Sequence, residues 1–196
     1  MQLSEIRTAI STEVELSLSS GALNQLVNRA LRQIAAVRDW PWLELEETAT
    51  WGSGETITMD ATAAAVRSVV VDGRRYDPLA EQDGDSQVGE FLGVGFSVAA
   101  RELRVVPQPA SGTAYTVWYV AWENTLSADA DTPLIPDAYI DAVVMLACSM
   151  AHDRPSGNRA ARDRFAERYR DLLRDMARAA QAKRGAQLPR VRQDVI

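Results

Sequence analysis

Cys148 and His152 are the only cysteine and the only histidine of the chain, four residues apart. On a helix that spacing puts both on one face. A thiol beside an imidazole is the start of a nucleophilic pair or of a metal site. An activated nucleophile needs an orienting group as well, and no further ligand stands at a matching spacing. Cys148 lies among Val143, Leu146 and Ala147, so its plainer reading is a small core residue. Carboxylates cluster at Glu44, Glu46 and Glu47 and at Asp83 and Asp85. Such groups can exchange protons or bind calcium, but Asp83-Gly84-Asp85 lacks the remaining oxygen ligands of a calcium loop. Glu44 and Glu46 alternate on the wet side of a strand, and Asp129 and Asp131 read as solubilising linker residues. Gly93-Val94-Gly95 opens like a dinucleotide fingerprint, yet Val98 stands where the third glycine belongs and no βαβ pattern surrounds it. The five tryptophans sit in apolar surroundings rather than among basic residues, so stacking on nucleic-acid bases is not expected. The expectation is no catalytic residue, no cofactor site, no metal site and no enzyme.

The elements that hold these residues follow from composition and period. At 196 residues, 46% of them hydrophobic, the chain can bury one good core, or a core and a small subdomain. Its start has no basic segment leading into an apolar one, so no secretory signal is expected. The longest apolar run, 142–151, is too short to span a bilayer. A lone cysteine rules out an intramolecular disulfide and suits a reducing compartment. The formal charge of −6 is split: residues 1–153 carry 9 Lys/Arg against 22 Asp/Glu, net −13, and residues 154–196 carry 12 against 5, net +7. Such asymmetry fits a basic arm or helix that meets something acidic: nucleic acid, a neighbouring copy, or another protein. The alternative is a solvated helix with arginines on its exposed face.

Leu3, Ile6, Ile10 and Val14 mark a first amphipathic helix. Leu23, Leu26, Val27, Ala30, Leu31, Ile34 and Val37 stripe a second, capped by Ser19 or Ser20, with Asn24, Asn28, Arg32 and Arg38 off the stripe. Pro41 stops it. Trp40 and Trp42 flank that proline and should wedge the corner into a core. From residue 43 to 122 the period changes to that of strands. Residues 43–51, 55–59, 66–71, 103–106 and 113–122 read as strands, and Asp72-Gly73 as a hairpin turn. Residues 60–65 read as a linker, 80–90 as an exposed loop or short helix, and 91–99 as ambiguous. The 113–122 strand reads as covered on both faces. After a polar linker, Pro136 suits the first turn of a helix striped by Tyr139, Val143, Leu146, Ala147, Met150 and Ala151. A last helix is expected from 158 to 183, closed by Gly185. Ala161, Phe165, Tyr169, Leu172, Met176, Ala179 and Lys183 repeat along it at helical spacing; Arg159, Arg164, Arg168, Arg174 and Arg178 interleave with acids on its other face. The fold expected is α+β: a helical bundle of about four helices (1–43 and 126–184), a small antiparallel β-sheet domain inserted at 44–125, and an extended tail at 185–196.

In order and spacing, several of these segments resemble the head–tail adaptor (connector) proteins of tailed bacteriophages. They are Leu26-Val27-Asn28 through Arg38-Asp39-Trp40-Pro41-Trp42-Leu43, then Leu103-Arg104-Val105-Val106-Pro107-Gln108-Pro109, and Tyr115-Thr116-Val117-Trp118-Tyr119. Asp131-Thr132-Pro133-Leu134-Ile135-Pro136 and the helix from Tyr139 to Ala151 complete the set. Where such proteins tend to carry Gly-x-Pro and an aromatic residue, this chain has Gly93-Val94-Gly95-Phe96. The resemblance implies a structural virion protein assembled in the host cytoplasm, forming a ring, dodecameric in relatives, beneath the portal. Its partners would be the portal protein, other copies of itself and a downstream tail or neck protein. Viral DNA would pass through the lumen without sequence-specific binding, and no membrane is involved. The C-terminal segment, with Leu188, Pro189, Arg190, Val191, Arg192, Val195 and Ile196, would grip the portal. The arginines of the last helix would face a neighbouring subunit, because a heterologous contact that closes makes a ring. Trp40, Pro41 and Trp42 would be a structural corner. Two other readings remain: a different neck or tail-completion protein, and a small hydrolase using Cys148 and His152.

Overall fold

The computed structural model describes residues 1–60, 62–79, 95–154 and 157–187. The expectations for Asp83, Asp85, Gly93 and Val94, and for tail residues 188–196, lie outside them. The chain divides into two compact units, Met1–Leu43 with Glu123–Ile196, and Glu44–Trp122.

The first unit holds four described helices: α1 (Leu3–Glu13), α2 (Ser20–Val37), α3 (Ile140–His152) and α4 (Arg159–Gln187). The α1 stripe Leu3, Ile6 and Ile10 is buried. Its first amides are satisfied from the far end of the unit: Leu3 N–H donates to the Asp131 carbonyl (2.8 Å) and Ser4 N–H to that of Asp129 (3.2 Å). Ser19 caps α2, its hydroxyl accepting from Ala22 N–H (3.3 Å). Pro136 precedes a 3-10 turn, Asp137–Tyr139, that leads into α3. Helix α3 is apolar on nearly every side and packs against α1, α2 and α4. That is how a helix behaves at the centre of a bundle. Phe165, Tyr169, Met176 and Ala180 are the buried residues of α4. The helix runs past Gly185 to Gln187, so that glycine sits within the last turn rather than ending it.

Two positions on α2 depart from the stripe. Val37 is exposed, and Asn28, expected on the wet side, is only 7% exposed. Its carboxamide bridges the Leu126 backbone twice: Nδ2 donates to the carbonyl (2.8 Å) and Oδ1 accepts from the N–H (2.8 Å).

The second unit corrects the expected fold class. It is not a small antiparallel insert in a helical bundle but a substantial seven-stranded mixed sheet, in the order β1-β7-β3-β4-β5-β6-β2. Its strands are β1 (Glu44–Thr50), β2 (Thr56–Thr58), β3 (Ala63–Val71), β4 (Arg74–Pro78), β5 (Gly95–Ala99), β6 (Glu102–Val106) and β7 (Ala114–Ala121). The β4–β5 pair is parallel and every other pair antiparallel. A parallel neighbour needs a long connection, and that connection crosses residues whose pattern carries no strand signal. The β3 strand also starts earlier than its β-branched run, within residues read as a linker. The Asp72-Gly73 hairpin holds: both residues have positive φ, 49° and 74°, as that turn demands. Val69, Leu103 and Val117 are fully buried, with Trp51, Val105 and Phe96 nearly so. The β7 strand is not covered on both faces throughout: Tyr115, Val117 and Tyr119 are buried, and on the alternate side Val120 is buried too, but Trp118 is 36% exposed and Trp122, just beyond the strand, 56%.

Candidate functional site

The structure closes the cysteine–histidine reading. Cys148 is fully buried in α3, and burial, with Glu13 nearby, pushes its thiol up to about 12. A thiol held that high carries almost no thiolate at neutral pH. His152 stacks on Phe165, ring centres 5.8 Å apart, and its Nδ1 accepts from Asn158 N–H (3.4 Å). It therefore supports the turn from α3 into α4 rather than the sulfur. Among the described residues no group of three or more His, Cys, Asp or Glu could hold a metal ion. No described helix is long and apolar enough to cross a membrane.

The carboxylates serve as hydrogen-bond acceptors for the fold. Glu46 accepts from the Trp118 indole N–H (3.2 Å). Glu102 accepts from the hydroxyls of Thr56 (2.7 Å) and Thr58 (2.8 Å), which tie β2 to β6 and hold its carboxyl below the usual range. Asp131 takes the amides of Ser127 and Ala128 and is lowered by them. Asp129 pairs with Arg7 (2.5 Å) and so anchors the linker to α1. Gly95 is explained by packing, not phosphate: a Cβ there would stand 2.4 Å from Leu79 Cδ2 and 2.9 Å from the Asp77 carbonyl oxygen.

At the Trp40–Pro41–Trp42 corner only the first indole is wholly inside; Trp42 is half-buried. Trp40 is fully buried, and its indole N–H donates to the Ile34 carbonyl (2.7 Å), one of the groups that the end of α2 leaves without a helical partner. Trp42 stacks on Trp40 at 4.6 Å and 16°, and Tyr139 closes on Trp42 at 5.3 Å. Arg38 lies over the Trp40 ring (5.4 Å) and donates to the Ala177 carbonyl of α4 (3.4 Å). The corner thus locks the end of α2 to α4 and to the entry of α3.

Helix α4 sorts its arginines into two sets. Arg174 pairs with Asp171 (2.9 Å) and Arg178 with Asp175 (3.3 Å), each along the helix. Arg162, unremarked in the sequence, pairs with Asp153 (3.2 Å) and Asp163 (2.8 Å). Arg159, Arg164, Arg168 and Arg170 are exposed and have no acidic partner among the described residues. Arg164 lies against Phe165 (5.2 Å) at the edge of a cavity of about 520 Å³ that Glu13, Glu15, Leu16 and His152 also line. Sequence spacing alone could not separate the sets, because every arginine here has an acid within reach along the helix.

Two residues escaped the sequence reading. Asn28 is one. Glu123 is the other: 6% exposed, it accepts the Leu134 amide (2.5 Å) and is bonded to that of Ile135. Burial pushes its carboxyl up to about 7 against the lowering effect of those two amides.

The described residues thus form a helical unit and a mixed sheet whose carboxylates act as clasps, with exposed arginines along α4, and this is the architecture of a structural part more than of a catalyst. The chain belongs to the SU10 adaptor protein family, whose family model matches residues 1–193. No curated protein matches it.

Proposed function

We propose that this chain is a head-to-tail adaptor that forms a ring beneath the portal, joins capsid to tail and lines the passage for DNA. The observation that carries the reading is the family match over residues 1–193. Charge supports it. An acidic body repels phosphate, so a lumen built from such bodies would not retain DNA. The unpaired arginines of α4 suit an acidic neighbour, and repetition of that contact around an axis closes a ring. Residues 188–196, with Leu188, Pro189, Arg190, Val191, Arg192, Val195 and Ile196, are the proposed portal-docking segment. A hydrolase is disfavoured by the buried, proton-holding thiol of Cys148.

The test is mass measurement and electron microscopy of the full chain alone and with its cognate portal. The expected outcome is a ring of a dozen or so copies on the tail-facing end of the portal. Attachment elsewhere in the neck, with no portal contact, would instead make it a tail-completion protein.

A further inference from the structure

The outer face of the sheet around β7 carries features that the core does not explain. Trp118 on β7 and Trp122 just past its end stand four residues apart, roughly 13 Å of extended chain, with the buried Val120 between them. Both are exposed, and indoles in water forgo a large burial free energy. Across β1, Glu46 stands directly opposite Trp118 and holds its indole N–H, so a carboxylate lies beside the aromatic face. Thr48 and Thr116 continue that surface, joined by their hydroxyls (3.2 Å), and Ser68 of β3 flanks Trp118 on the other side. An aromatic plane next to a carboxylate is a receptor for a guanidinium, which stacks on the one and pairs with the other.

The same chain exposes guanidiniums that such a receptor would accept. Arg164 and Arg168 stand one helical turn apart on α4, without acidic partners among the described residues. Net charge runs the same way. The sheet unit, residues 44–122, has 5 Lys/Arg against 12 Asp/Glu, net −7, and residues 159–187 have 9 against 4, net +5. We infer that the Trp118–Trp122–Glu46 face is the docking surface for a second copy of this chain, which presents the Arg164–Arg168 side of its α4. This rests on the ring reading and adds the receiving surface to it. The contact joins a sheet to a helix, so it is heterologous: in a pair, one copy keeps its α4 surface and the other its sheet surface free for the next neighbour.

Charge exchange tests it in the full chain, with assembly followed by sedimentation alone and with the cognate portal. Glu46→Arg and Arg168→Glu should each weaken self-association by about tenfold or more, and Trp118→Ala should do so without a change of charge. The paired variant carrying both exchanges should recover most of the loss, which a merely structural effect on either copy would not do. Circular dichroism of each variant keeps misfolding separate from lost docking. Rings that form normally with either single exchange, or a paired variant that recovers nothing, would overturn the docking surface while leaving the ring reading intact. A wild-type chain that assembles under neither condition would overturn both.

Discussion

Glu123 is a carboxylic acid that the fold keeps close to its proton. Its side chain is buried, and that outweighs the two amides that would favour the anion. The unfolded chain releases this proton near pH 4.5 and the folded chain near 7. Between those values the native state binds more protons, so this group makes stability fall as pH rises through the window, by roughly 3 kcal/mol when complete. Glu123→Gln keeps an acceptor for the Leu134 amide and removes the ionisation. Urea unfolding should find it near wild type at pH 5 and more stable than wild type at pH 8; equal midpoints at both values would refute the coupling. Asp131 and Glu102 shift the other way: their lowered carboxyls stabilise the fold above their unfolded values, and that support fades only as pH falls through their lower folded ones. The sequence could not distinguish these three acids. Whether an acid lies inside depends on what returns over it, and for Glu123 that is Leu134, eleven residues on.

At the scale of elements, period is what the sequence expresses well. The stripes of α1, α2 and α3 and the Trp40–Pro41–Trp42 corner were legible because sidedness and a missing amide act locally. Pairing is not local. The β5 strand is held by a parallel partner, β4, from across a long connection, and the exposure of Trp118 on β7 beside a buried Val120 follows from what packs there. Nor could an α2 asparagine off the apolar stripe announce that it clasps Leu126, 98 residues away. That clasp fastens the segment after the sheet unit onto α2, which leads to a test. Asn28→Ala leaves a buried amide and a buried carbonyl unpaired and should cost about 2–4 kcal/mol, read as a lower urea midpoint with unchanged slope. Asn28→Asp retains the acceptor but turns a carboxylate toward the Leu126 carbonyl, so its cost should grow as pH rises above 4. A substitution to alanine without loss would mean that water replaces both bonds.

At the scale of the molecule, charge divides along the chain, net −13 over residues 1–153 and net +7 over residues 154–196. Among the side chains of α4 that the structure describes, Ala180 is the last buried one. The helix is 29 residues, about 43 Å from end to end. Arg190 and Arg192 follow its C-terminus by at most five residues, about 17 Å of chain, so they cannot reach back to the cavity beside Arg164 at its N-terminal end. Whatever those arginines meet, it is not that cavity of their own copy. A chain ending at Gln187 should therefore melt within about 1 kcal/mol of the full chain, with the same sedimentation when alone. If residues 188–196 grip the portal, the shortened chain should no longer co-sediment with it, and the full chain's binding should weaken steeply with salt, as expected of arginine-mediated contacts. Retention of portal binding by the shortened chain would move the docking surface onto the helical unit or the sheet. Loss of folding would instead make the last residues part of the core.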